Sequence, residues 1–287
     1  MKQRHAIIVG GGLGGLALSL RLAVKGWKVT VCEKSSTPGG KMNFFEQGGF
    51  RFDTGPSLIT MPEIFEELFA VAGSTLSDHL SLQRINPLAS YAYADGTRFL
   101  HTTSLPHWLT TVRNLEPRDV DGFWRFFRLG ARLYEVSRNT FLSRSPAESP
   151  QIGQLSSLRH MPLRYGWGNY GRTVDKHFHS PYLRQLFNRY PTYVGSSPYR
   201  APATLAVIPY IESALGGWYM KGGLYTLVTA IVGLLHRYGG EILTSAEVVQ
   251  IHQSGGRVNG VQLADGTVLS SDIVIMNGDA SQIPQLL

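Results

Sequence analysis

The sequence predicts an α/β fold in which a parallel-sheet domain is interrupted along the chain by a long, mainly helical insertion. Three observations predict it. Residues 5–33 read as strand, glycine turn, helix and strand. Strand signals stop near residue 100, and they return only after a helix that ends at Gly239-Gly240. The chain has 287 residues, 43% hydrophobic and 16% charged, which is enough to bury a full core and too apolar for a disordered chain. The expected division is 1–85 for the first part of the sheet domain, 86–215 for the insertion and 216–287 for the second part.

The first element is the continuous apolar run Ala6-Ile7-Ile8-Val9, expected to be a strand buried on both faces. Gly10-Gly11-Gly12-Leu13-Gly14-Gly15 follows, then Leu16, Leu20, Ala23 and Val24 at helical spacing, with Gly26 ending the helix. Lys28 to Cys32 is the second strand, closing with Glu33. Cys32 is the only cysteine, so no intrachain disulfide can form; this fits a reducing compartment. A strand–glycine turn–helix–strand unit is the context that a dinucleotide fingerprint requires, so a Rossmann-like grip is expected. Gly10 permits the tight turn, Gly12 lets the backbone approach a pyrophosphate, and Gly15 lets the helix pack on the strand. Leu13 and Gly14 open the helix, whose free N–H groups and positive dipole end suit phosphate. Glu33 can accept hydrogen bonds from ribose hydroxyls and would repel a 2′-phosphate, which argues against NADP. The alternative is a glycine loop that serves packing alone.

The apolar stretch from Leu13 to Val24 is too short to span a bilayer and carries Arg21. The first apolar run enters the glycine loop directly, so no signal peptide is expected. The expected location is cytoplasmic or peripheral on a membrane face.

Beyond Glu33 come Lys34-Ser35-Ser36-Thr37-Pro38-Gly39-Gly40-Lys41, an expected hairpin (Met42–Glu46 with Phe50–Phe52), and Asp53-Thr54-Gly55-Pro56-Ser57. Gly39-Gly40-Lys41 resembles the glycine–glycine–arginine element of the amine oxidase and phytoene desaturase flavoproteins. Phe52 to Ser57 resembles the segment that approaches the flavin in that family. The resemblance implies FAD in place of NAD, with Gly40 and Lys41 near its pyrophosphate, Lys34 also among the cofactor-binding residues, and Thr54, Gly55, Pro56 and Ser57 toward the flavin. Lys41 keeps the charge of the usual arginine but lacks its planar fork.

Pro62, Glu63, Glu66 and Glu67 with Ile64, Phe65, Leu68, Phe69 and Ala72 describe an amphipathic helix ending at Gly73. Tyr91 to Phe99 reads as a hairpin turning at Asp95-Gly96. From Asp119 to Ser137, Val120, Phe123, Trp124, Phe127, Ala131 and Tyr134 are expected to form the buried helical face. Arg118, Arg125, Arg128 and Arg132 lie opposite, and Gly122 and Gly130 weaken the helix. Residues 113–200 hold fourteen basic and six acidic side chains, an excess larger than the whole chain's net +7. The arginine stripe is either a solvated helix face or a contact for anionic lipid. No nucleic-acid module is recognisable, so nucleic acid is not an expected partner. Ser143 to Gln154 has loop composition, and the segment 159–199 mixes arginines with aromatic residues. His160, His177 and His179 have no complementary ligand set, and no metal is expected.

Leu183 to Tyr190 and Tyr193-Val194-Gly195-Ser196-Ser197-Pro198-Tyr199-Arg200-Ala201-Pro202 resemble the carotenoid-desaturase branch of the family. A helix from Leu224 to Tyr238 follows, then strands at 241–243, 247–252, 257–263, 268–269 and 272–276, ending at Asn277-Gly278-Asp279. This order resembles the family's return to its FAD domain, implying that Val248 offers backbone to the adenine and that Asp279 faces the cofactor. The resemblance runs through the whole chain. It implies an amine-oxidase-like FAD fold with an inserted substrate domain, and a longer C-terminal part with a further flavin-lining segment. The implied activity is dehydrogenation of a carotenoid or other apolar polyene by hydride transfer to flavin, with no catalytic base named. Rival readings are an FAD amine oxidase and a flavin-binding chain without activity of its own. The particular carotenoid, the electron acceptor and the oligomeric state are not specified by the sequence.

Overall fold

The continuous apolar run at the start of the chain has a simple physical cause: both of its faces are covered. In the computed structural model, which describes residues 3–139, 142 and 168–287, His5–Val9 (β1) is an interior strand of a four-stranded parallel sheet. Its neighbours are Lys28–Cys32 (β2) and Ile273–Met276, and Glu241–Leu243 pairs with the far side of β2. Successive side chains of a strand point to opposite faces. Ile8 therefore packs toward Ala23, Val29, Val31 and Leu235. Ile7 and Val9 pack with Cys32, Val248, Val261 and Leu263, where an antiparallel sheet of Val248–Ser254, Arg257–Leu263 and Val268–Ser270 covers the other face. Ile7 and Ile8 are fully buried, which stabilises by about 1.5–3 kcal/mol each. The Cys32 thiol is pushed up to about 11 by burial, reinforced by Glu241, so it stays protonated and unreactive.

The chain divides into two compact units, residues 1–83 with 218–287, and residues 84–217. In the first, Leu13–Val24 (α1) buries Leu16 and Leu20 against Leu68 and Phe69 of the Glu63–Val71 helix and against Leu227, Val228 and Ile231 of the Tyr225–Arg237 helix. The expected hairpin is displaced slightly, to Phe44–Gln47 and Phe50–Asp53, because Gly48 and Gly49 both take the left-handed turn (φ +60° and +81°).

The second unit joins the Ala89–Ala92 and Arg98–His101 hairpin to helices Leu105–Leu115, Asp119–Asn139, Tyr170–His177, Pro181–Asn188 and Val207–Ala214. Its core is aromatic: Phe123, Phe126, Tyr170, Phe178, Phe187 and Tyr190 are almost wholly buried. Asp119, fully buried, accepts the backbone N–H groups of His179 (2.7 Å) and Ser180 (2.8 Å) and pairs with the His179 ring at 2.8 Å.

The Asp119–Asn139 helix corrects one expectation. Its buried line runs through Phe123, Phe126, Leu129 and Leu133, while Val120, Trp124, Phe127, Ala131 and Tyr134 are only half-buried on its flank. Gly122 and Gly130 explain the rotation. A side chain at Gly122 would overlap the His177 carbonyl, and one at Gly130 would lie 2.9 Å from the Ala206 carbonyl oxygen and against Tyr210. These glycines are contact points for close approach, and the helix turns that side inward. Arg118, Arg125, Arg128 and Arg132 are exposed, as the stripe reading requires. The expected loop at 143–154 and residues 159–167 of the aromatic segment, His160 included, lie outside the described residues.

Candidate functional site

The loop that leaves β1 is where the expected site residues meet. Gly10 takes φ +101°, open to glycine and strained for other residues, and its N–H bonds to the Cys32 carbonyl at 2.8 Å. α1 starts at Leu13 with Gly12 as N-cap; no side chain caps this end, and its first turn holds no acid. The N–H groups there are unclaimed by side chains, as an anion site requires.

Glu33 sits at the end of β2, only 6% exposed. One carboxylate oxygen accepts the Gly11 N–H at 2.7 Å, and the other accepts the Ser35 N–H at 2.9 Å. A carboxylate has roughly four acceptor positions, so two remain for a ligand's hydroxyls. Its neighbour Lys34 is exposed.

The second glycine element docks directly on the first. Gly39 forms a parallel bridge with Gly12 and donates to the Gly11 carbonyl at 2.8 Å. A side chain at Gly40 would come within 3.0 Å of the Gly12 Cα, so the two backbones touch where no side chain fits. Gly55 packs in turn on the Lys41 carbonyl, and the Thr54 N–H bonds Asn43 oxygen at 2.9 Å. Pro56 and Ser57 continue from there, both exposed. Asp279, exposed, accepts the Ser281 N–H at 2.9 Å; that bond, with a smaller contribution from Lys41, holds its carboxyl below the usual range.

Val248 reaches the same end through the backbone: the Ala246 N–H bonds to the Glu33 carbonyl at 2.9 Å. The Val248 side chain is buried with Ile7 and Val9, and a bulge between Val248 and Gln250 leaves Val249 out of register, 44% exposed. Gly10, Gly12, Leu13, Gly14, Gly15, Glu33 and Gly40 therefore meet at the carboxyl end of the parallel sheet, while Lys34, Lys41, Thr54, Gly55, Pro56, Ser57, Val248 and Asp279 lie on the chain segments that adjoin them. The carboxyl end is where open α/β sheets bind nucleotides. An FAD-like dinucleotide fits this donor set: an uncapped helix end for phosphate, bare backbone walls, a carboxylate with free acceptor positions, and two lysines.

Several residues that hold the site had no role assigned from the sequence. Asp53 accepts the Tyr219 hydroxyl at 2.7 Å and the Leu224 N–H at 3.2 Å, and Tyr225 donates to the Pro38 carbonyl at 3.0 Å. These tie residues 38–53 to the strand Trp218–Met220 and the start of the Tyr225–Arg237 helix, some 170 positions later in the chain. Asn277 is the most central: its side chain donates to the Gly10 carbonyl at 3.1 Å. Its only signal in the sequence was its place at the head of Asn277-Gly278-Asp279, where attention falls on the acid.

Comparison with known proteins gives the family. Residues 13–286 match the family of flavin-containing amine oxidoreductases. The chain is 36% identical over 280 residues to a hydroxyneurosporene desaturase of Cereibacter sphaeroides, covering 96% of this chain and 56% of that protein. It is 34% identical to a 4,4′-diapolycopene oxygenase of a Methylomonas species, again covering 96% of this chain and 56% of the relative. The chain thus spans little more than half the length of these curated relatives. Among solved structures, wild-type putrescine oxidase bound to putrescine superposes with a TM-score of 0.67 at 14% identity, over 100% of this chain and 60% of that one, a likeness of fold.

Proposed function

Because this chain belongs to the family of flavin-containing amine oxidoreductases, we propose that it acts as an FAD-dependent carotenoid oxidoreductase that dehydrogenates a long polyene. The observation that carries the substrate class is the 36% identity, over 96% of the chain, to a hydroxyneurosporene desaturase. The glycine loop and Glu33 alone would suit any enzyme that grips FAD.

The flavin, when bound, supplies the hydride acceptor. The chain's own residues bind and orient it. The N–H groups of the glycine loop and the start of α1 take the pyrophosphate, with Lys41 adding charge. Glu33 accepts the ribose hydroxyls, Val248 and the adjoining bulge offer backbone to the adenine, and residues 54–57 lie toward the flavin. The hydrocarbon length of a polyene offers nothing to recognise except apolar surface, so its site has to be an apolar tunnel that excludes water. We assign that role to the unit of residues 84–217. No helix among the described residues is long and apolar enough to cross a membrane. The exposed Arg118, Arg125, Arg128 and Arg132 suit peripheral contact with anionic lipid, where each contributes about 1 kcal/mol near the surface.

The first test is the absorption spectrum of the purified chain, with the cofactor identified after denaturation. A flavin spectrum that releases FAD supports the reading; a colourless protein that FAD cannot load removes it. Substrate class is tested by incubating the flavin-loaded protein with phytoene and other carotenoids in liposomes, and separately with amines while monitoring peroxide. Conversion of an amine and of no polyene would overturn the carotenoid assignment. Co-sedimentation with anionic and with neutral vesicles tests the lipid contact, and equal binding to both would sink it.

A further inference from the structure

We propose that Asn277 is a positioning residue for the cofactor: it braces the glycine loop from within the fold, and position 14 is glycine because Asn277 fills the space a side chain would need. The inference rests on the reading of residues 10–15 as an FAD phosphate grip.

The arrangement follows from the sheet. β1 has one parallel neighbour on each side, so each neighbour delivers the residue after its last position to the loop that leaves β1. β2 delivers Glu33, which holds the Gly11 N–H at 2.7 Å. Ile273–Met276 delivers Asn277, whose backbone N–H bonds to the Val9 carbonyl at 2.8 Å and whose side-chain Nδ2 donates to the Gly10 carbonyl at 3.1 Å. The loop is held between an acceptor from one strand and a donor from the other. A phosphate-binding loop fixed in this way does not have to be ordered at the moment of binding.

The glycines differ in what they avoid. A Cβ at Gly11 would lie 3.1 Å from a Glu33 carboxylate oxygen. A Cβ at Gly15 would overlap the Gly10 carbonyl oxygen whatever residue stood at 277, and would also lie 2.8 Å from Asn277 Nδ2. A Cβ at Gly14 would meet one residue only: it would sit 2.8 Å from Asn277 Oδ1 and 3.9 Å from its Cγ. Gly14 is inside α1 with helical backbone, where propensity favours alanine. Among the described residues outside the helix's own turn, Asn277 is thus the side chain that alanine at position 14 would meet.

The test uses the 287-residue chain as wild type, Gly14→Ala, Gly15→Ala, Asn277→Ala and Asn277→Asp, with the two glycine substitutions repeated in the Asn277→Ala background. FAD affinity is read by flavin fluorescence below the melting transition, and loop order by amide hydrogen exchange of residues 8–18 without cofactor. Asn277→Ala should weaken FAD binding about tenfold and speed exchange across the loop. Asn277→Asp keeps the size and loses the donor to Gly10, so it should do at least as much; it also serves if the alanine variant folds poorly. Gly14→Ala should weaken binding about tenfold alone and less than twofold in the Asn277→Ala background. Gly15→Ala should be equally damaging in both. Independent, multiplying effects of Gly14→Ala and Asn277→Ala would overturn the proposal, as would unchanged loop exchange in both Asn277 variants. If the wild-type chain binds no FAD, the cofactor reading fails, and the exchange data alone decide whether Asn277 braces the loop.

Discussion

In the unit built from residues 1–83 and 218–287, the candidate site is made of backbone: glycines press on carbonyl groups and on one another, and a few side chains reach in. In the unit of residues 84–217, one buried polar cluster is built from side chains bonded to side chains. Glu212, 2% exposed, accepts the hydroxyls of Tyr190 and Tyr193 at 2.7 Å each, and the Arg189 guanidinium lies 3.6 Å away and over the Tyr190 ring. The candidate site should be injured by adding a methyl group, the Glu212 cluster by removing a functional group. Backbone packing leaves no room, whereas a buried charge network fails when one member leaves the others unpaired.

The largest expected effect tests the second half of that contrast. Glu212→Ala strands Arg189 and two tyrosine hydroxyls, and should lower stability by about 3–5 kcal/mol in urea denaturation followed by near-ultraviolet circular dichroism. A loss under about 1 kcal/mol would show that water replaces the carboxylate and would break the contrast. Next comes an addition in the first region. Gly55→Ala overlaps the Lys41 carbonyl and should lower stability by about 1–3 kcal/mol while weakening flavin retention. Unchanged retention would mean that residues 54–57 move aside freely.

The third prediction is a pH dependence. His101 is buried against Trp108, and burial, with Arg189 as a lesser cause, pushes its folded pKa down to about 3. The unfolded chain binds a proton near 6.5, so this stability is present above 6.5 and lost as pH falls from there toward 3. By pH 5 the loss should be about 2 kcal/mol. Replacing His101 with Phe should flatten the difference between pH 7 and pH 5; an unchanged difference would point to another group. The smallest effect is a surface one: Arg21→Ala removes an exposed pair with Glu67 at 2.9 Å and should alter the melting free energy by less than about 0.5 kcal/mol.

Much of the first region was legible because its chemistry is local in sequence. A glycine is needed where backbone meets backbone, an acid where β2 ends, and an unbroken apolar run where a strand is covered twice. The aromatic unit was less legible. In the Asp119–Asn139 helix, an apolar face and its flank are one residue apart, and helical periodicity alone placed Trp124 and Phe127 too far inward. Gly122 and Gly130 decided the rotation by what lay opposite, His177 and Ala206, and neither is a neighbour in sequence.

The sequence by itself determined the α/β class and the fingerprint at residues 10–15 with Glu33, which rest on residue types at short, fixed spacing, and the helical insertion, which rests on where strand signals stop and return; the family entered through the resemblance of its motifs. Only the tertiary structure decided which parts of the chain complete the site. Parallel pairing of Ile273–Met276 with β1 brings Asn277 to Gly10 across 267 positions, and Asp53 finds Tyr219 across 166. A hydrogen bond between residues so far apart leaves no periodic trace, because the chain between them carries the folding information that brings them together.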